Sequence, residues 1–155
     1  MIEQLIATPE DMEALGARVA SRLRAGDVLA LNGELGAGKT TFTRGLGQAL
    51  GVRGTVTSPT FVLARSHPRA DGAPLVHMDA YRLGSGLELD DLDVDVDASI
   101  VVVEWAGDYV GLLADEWLQI DIDRRTAEAD DDGVAPRKVT VRGHGARWAD
   151  LEWLR

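Results

Sequence analysis

The apolar positions Met12, Leu15, Val19 and Leu23 keep one face of a helical period in "ATPEDMEALGARVASRLRAG", residues 7–26. Thr8 can cap that helix, Pro9 suits its first turn, and Glu10 and Asp11 favour the positive end of its dipole. Gly26 reads as its stop. The pattern then changes to a short continuous apolar run, "DVLALNG" (27–33), which predicts a buried strand. A second helix is expected from about Lys39 to Leu50, ended by Gly51.

Further strands follow. "TFVLARSH" (60–67) and "PLVHMDAYR" (74–82) flank the turn-rich "PRADGA" and predict a hairpin. "SIVVVEW" (99–105) is the most apolar strand, whereas "EWLQIDIDR" (116–124) and "RKVTVRG" (137–143) alternate as half-buried strands do. The segment 122–136 between the last two reads as a mobile loop. "ARWADLEWLR" (146–155) predicts a short terminal helix that packs Trp148, Leu151 and Leu154 on the body. Neither a repeat nor a dividing linker is present, so residues 1–155 are expected to form one domain. The order strand, glycine loop, helix, then further strands predicts an α/β fold with a mixed central sheet flanked by helices.

Composition narrows the chemistry. There is no cysteine, which excludes disulfides and thiolate–metal sites. His67, His77 and His144 are not spaced as a zinc cluster, so an expected metal is a hard, oxygen-bound cation, meaning Mg2+. Net charge is −10, much of it in residues 87–99 and 127–132, which read as solvated surface. Without a basic footprint, any nucleic-acid role would run through a partner protein. No apolar run reaches the ~20 residues of a membrane span, and "MIEQLIATPEDME" lacks the features of a signal peptide, so a cytoplasmic location is expected.

The chain owns only two lysines, Lys39 and Lys138, against fourteen arginines. Lys39 belongs to Gly33-Glu34-Leu35-Gly36-Ala37-Gly38-Lys39-Thr40, which fits G-x-x-x-x-G-K-[ST]. Glycines let the backbone curl so that successive amides face phosphate oxygens, and the following helix adds its positive end. Lys39 would reach the β and γ phosphates as a compact charge, where a planar arginine fork fits poorly. Thr40 would offer its hydroxyl to Mg2+. Preceded by an apolar strand and followed by a helix pattern, the motif reads as a nucleotide site.

Such a fold also calls for a carboxylate at the end of a core strand. Glu104 ends "SIVVVE" and Asp79 ends "PLVHMD"; either could be the direct metal ligand, and an N-cap or a salt bridge to Arg82 would be the plainer role for Asp79. Ser58-Pro59-Thr60 follows the second helix, where a hydroxyl-bearing loop can sense the γ phosphate, although Ser-Pro is also an ordinary turn. Trp105 could stack near the nucleotide or pack in the core. His77, two residues before Asp79, shares its strand face and could serve structure or site.

"GELGAGKTT", "SPTF" (58–61), "HMDAYR" (77–82) and "VEW" (103–105), in this order and spacing, closely resemble the TsaE (YjeE) family of small bacterial P-loop ATPases. The resemblance spans roughly residues 5–125. It implies a role in forming threonylcarbamoyl-adenosine next to the anticodon of tRNA, with ATP hydrolysis acting on a TsaB–TsaD partner pair. By position, it implies that Glu34, Leu35, Gly36, Ala37, Gly38, Lys39, Thr40 and Thr41 cradle the phosphates and that Thr40 and Glu104 bind Mg2+. Asp79 would be the acid required for hydrolysis, Ser58 and Thr60 would belong to a switch segment, and Thr8 would lie near the adenine. One departure is that "AGDYVGLL" (106–113) carries no basic group soon after "EW".

Other functions are possible for such a loop. A nucleotide-controlled binding module needs no hydrolysis. A small-molecule kinase would want lid arginines, for which Arg65 and Arg69 are the nearby pair. A GTPase is disfavoured, because no Asn-Lys-x-Asp motif is present. Within the motifs Arg82 is the one arginine available to catalysis.

Overall fold

Val28, Leu29, Ala30 and Leu31 are all fully buried, and they form the first part of strand β2 (Val28–Gly33) at the centre of the sheet. The computed structural model describes residues 1–34, 37–52, 64–69, 72–79, 95–104, 110–124 and 136–155. In chain order the described elements begin with β1 (Ile2–Ile6), α1 (Pro9–Ala20), β2, and α2 (Lys39–Leu50). They continue with β3 (Ala64–His67), β4 (Leu75–Asp79), β5 (Ile100–Glu104) and the single-turn α3 (Val110–Leu113). Strands β6 (Trp117–Arg124) and β7 (Arg137–His144) follow, and two short 3-10 turns close the chain.

Seven described strands form one sheet in the order β1-β7-β6-β2-β5-β4-β3. The centre is parallel: β2 pairs with β5 and β6, and β5 pairs with β4. The margins are antiparallel, with β3 on β4, and β7 between β6 and β1. The sheet is therefore mixed, as the sequence predicts, and 64–67 with 75–79 form the expected antiparallel pair. β5 is buried along its whole length, as a parallel strand covered on both faces should be.

One face of the sheet carries the larger core. Leu29, Leu31, Ile100, Val102, Leu118, Ile120, Val139 and Val141 meet Met12, Leu15 and Val19 of α1 and Phe42 and Leu46 of α2. The opposite face gathers Val28, Ala30, Val76, Met78, Val101 and Val103 around Val110 of α3. α1 and α2 touch through glycine: a Cβ on Gly16 would overlap the Phe42 carbonyl and lie 2.8 Å from Leu46 N. A Cβ on Gly45 would lie 2.6 Å from Glu13 Cα. This close approach fixes α2, and with it the loop that precedes it.

Two local expectations need correction, and one strand lies outside the elements predicted. That strand, β1, is held by antiparallel pairing of Ile2–Ile6 with residues 137–141. The first helix ends at Ala20, well before Gly26. There the Ser21 hydroxyl donates to Arg18 O, the Asp27 carboxylate accepts from Arg24 N, and Arg147 donates to Arg22 O and Asp27, so alternative bonds replace the helical ladder. The terminal segment forms two separate 3-10 turns, Ala146–Trp148 and Glu152–Leu154, in place of one helix. Asp150 divides them by accepting from Glu152 N at 2.9 Å, a local bond that competes with helix continuation. Trp148, Leu151 and Leu154 are nonetheless buried in the larger core, as expected. The expected loop at 122–136 falls mostly outside the described residues.

Candidate functional site

The parallel centre of the sheet aims its carboxyl ends at one place. After β2 the chain lays β3, β4 and β5 on one side of it and then β6 and β7 on the other, which makes the end of β2 a topological switch point of the kind where α/β sheets bind ligands. Gly33 ends β2 there, and α2 begins six residues later at Lys39. A Cβ on Gly33 would lie 2.9 Å from Ile122 O and 3.2 Å from Ala37 Cβ, so no larger residue fits without moving the strand. Gly38 has φ +118, a conformation L side chains rarely adopt. These two constraints explain why the motif needs glycine at these positions.

Among the described residues the α2 N-terminus receives no side-chain cap, and its first turn holds no acid. Its amides and dipole could meet an external anion. Within the loop, Ala37 N donates to Glu34 O at 3.0 Å, and Ala37 is buried while Glu34 is exposed. Thr40 and Thr41 are both half-buried at the start of α2. Buried Thr43 donates its hydroxyl to Lys39 O at 2.9 Å, bracing the first turn from within.

Lys39 is 8% exposed, an unusual setting for an ammonium. Its Nζ donates to Gly33 O at 2.6 Å and lies 3.8 Å from Glu104 Oε1. Burial pushes its pKa below the ordinary lysine range, while the charges of Glu104 and Asp79 oppose that fall. Glu104, also buried, ends β5 level with Leu31 on β2. Asp79 ends β4 directly beside Glu104. His77, fully buried, places Nε2 2.5 Å from Glu104 Oε2. Three sequence-separated candidates, Lys39, Asp79 and Glu104, are thereby brought together, and His77 joins them on the face the pattern assigned.

Thr8 does cap α1: its hydroxyl oxygen accepts from Asp11 N at 3.1 Å. That helix meets the loop one turn further on, where a Cβ on Gly38 would lie 3.3 Å from Met12 Cε. Leu35, Gly36, Ser58, Thr60, Arg82 and Trp105 lie outside the described residues.

Arg137 was missed by the sequence reading. As the first residue of β7, it donates from Nε to Ala37 O at 2.9 Å, so an arginine outside every motif reaches the glycine loop. No local signal marks it; only the position of β7 beside β6, itself beside β2, carries it there. Arg69, considered as a lid arginine, instead donates to the carbonyls of Leu50 and Ala73.

This frame of parallel strands, glycine loop and buried lysine defines a P-loop α/β protein. Comparison with known proteins narrows the class. Residues 6–132 match the family model "Threonylcarbamoyl adenosine biosynthesis protein TsaE". A protein of Streptomyces coelicolor named tRNA threonylcarbamoyladenosine biosynthesis protein TsaE is 57% identical over 91% of this chain and 96% of its own length. A Bacillus subtilis protein of the same name is 40% identical over 92% of this chain and 86% of its own. The crystal structure of Bacillus subtilis YdiB superposes with a TM-score of 0.73 at 36% identity, covering 95% of this chain and 88% of that one. The chain belongs to the TsaE family, as the four motifs suggested.

Proposed function

We propose that this protein binds and hydrolyses ATP as a component of threonylcarbamoyl-adenosine formation on tRNA, acting on a TsaB–TsaD partner complex. The observation that carries the ATP reading is the buried Lys39 between a glycine loop and two strand-end carboxylates. The tRNA reading comes from the relatives' names and the family model. With a net charge of −10, contact with tRNA is assigned to the partners.

The residues present fit the nucleotide. Uncapped α2 amides and Lys39 would hold the phosphates, and Arg137 would brace the loop from behind through Ala37 O. They also fit Mg2+, which usually keeps waters and substrate phosphates and needs only one or two protein oxygens. Among the described residues no three acidic or imidazole groups form a metal cage. Thr40 and Glu104 would hold the ion, whose charge would offset that developing on the phosphate oxygens. Asp79 would orient a water for in-line attack on the γ phosphorus; the bond to the bridging oxygen breaks, and ADP leaves as inorganic phosphate forms.

An ammonium carries three N–H donors, so Lys39 would keep Gly33 O while another of its protons meets a β or γ phosphate. Following the γ phosphate in a single-turnover reaction tests the proposal. Release as inorganic phosphate, accelerated by the TsaB–TsaD pair and lost in Lys39→Ala, is expected. Transfer to a metabolite would overturn it.

A further inference from the structure

His77 and Glu104 form a buried contact that the proposed chemistry leaves unexplained. Both side chains are nearly inaccessible, and Nε2 of His77 lies 2.5 Å from Oε2 of Glu104. Their positions are set by backbone register: His77 pairs with Val102, and Asp79 with Glu104, on adjacent parallel strands. In this contact the ring nitrogen Nε2 is taken as the donor and the carboxylate oxygen as the acceptor. Nδ1 of His77 is buried with no hydrogen-bond partner among the described residues.

The two oxygens of Glu104 therefore have different duties. Oε2 is taken by His77, whereas Oε1 faces Lys39 at 3.8 Å. If Lys39 turned toward a phosphate, Glu104 would lose that neighbour and keep the imidazole. We propose that His77 is a positioning residue: it fixes the rotamer of Glu104 so that Oε1 alone is presented to the nucleotide side of the site. This role rests on the ATP reading given above. It also explains why a polar ring occupies a fully buried strand position, where an apolar residue would otherwise pack better. Partners of this kind that orient a metal-directed carboxylate typically matter by about 10–100-fold in metal affinity or activity.

The test compares the whole protein with His77→Phe, which keeps a ring but has no donor, and His77→Gln, whose amide can donate from nearly the same place. ATP affinity is measured calorimetrically with Mg2+ and with a chelator, alongside turnover. In His77→Phe, the Mg2+-dependent part of the affinity and kcat should fall about 10–100-fold, with affinity in chelator unchanged. His77→Gln should recover most of that loss. Equal loss in both variants, or no loss in either, would overturn the inference. A second measurement needs neither nucleotide nor a variant that folds: nitrogen NMR of the wild-type protein should show a proton on Nε2 of His77. A bare Nε2 would overturn the inference even if ATP binds. A wild-type protein with that proton in place but no ATP affinity would instead sink the nucleotide reading, and this role with it.

Discussion

Asp79 and Glu104 stand directly opposite each other at the ends of adjacent parallel strands, two carboxylates in one register position. Like charges placed directly opposite each other repel. Lys39 lies within the field of both, which lessens the repulsion, though its own burial opposes its charge. Asp79→Asn should lower hydrolysis about 100-fold or more. Single-turnover kinetics checks this, with urea unfolding to establish that the variant is folded. Wild-type hydrolysis in a folded variant would contradict the role of Asp79.

Gly16→Ala and Gly45→Ala should each destabilise the protein by about 1–3 kcal/mol, although alanine favours helices by about 1 kcal/mol. The added methyl would meet backbone of the other helix, which cannot rotate away as a side chain could. Displacing α2 should also weaken ATP binding, since α2 begins at Lys39. Gly111→Ala is the control, because no described residue lies within 4 Å of its would-be Cβ. Thermal unfolding of the three variants decides the point; equal behaviour would contradict the close packing.

Arg137→Ala should weaken ATP binding about 10-fold or more, the scale of a lost hydrogen bond from a charged donor. Arg137→Lys should recover little, because lysine lacks the guanidinium Nε that meets Ala37 O. Calorimetric titration measures both. Wild-type affinity in Arg137→Ala would mean that β7 does not steady the loop.

His67 is buried, and burial, with help from His77 and Arg65, holds its pKa below the usual histidine value. In the unfolded chain it takes a proton near pH 6.5, whereas the folded protein resists until lower pH. Between those two values the unfolded state binds more protons, so stability falls as pH drops and is fully present above the unfolded value. His67→Asn should flatten the decline in unfolding free energy between about pH 7.5 and 5.5. An unchanged slope would contradict this assignment.

Strand β2, the glycine loop and α2 were legible because strand, loop chemistry and helix follow one another locally. α2 begins at Lys39 and ends before Gly51, as expected. β5 and the β3–β4 pair were legible for similar reasons. β1 was not, since "IEQLI" acquires its partner only from β7 at the other end of the chain. The end of α1 was hidden because Arg147 takes Arg22 O and Asp27 from far away in sequence. For the site, Lys39, Asp79 and Glu104 could be picked from strand ends and spacing. The Glu104–His77 contact needed register, and the reach of Arg137 to Ala37 needed the strand order.

The most direct test of the central claim is reconstituted threonylcarbamoyl-adenosine formation on tRNA with TsaB and TsaD, following ATP hydrolysis in parallel. The intact protein is compared with Lys39→Ala and Asp79→Ala. Sustained modification with the intact protein alone, and hydrolysis that rises when the partners are added, is the predicted result. Modification that proceeds equally without the protein, or with Lys39→Ala in its place, would contradict it.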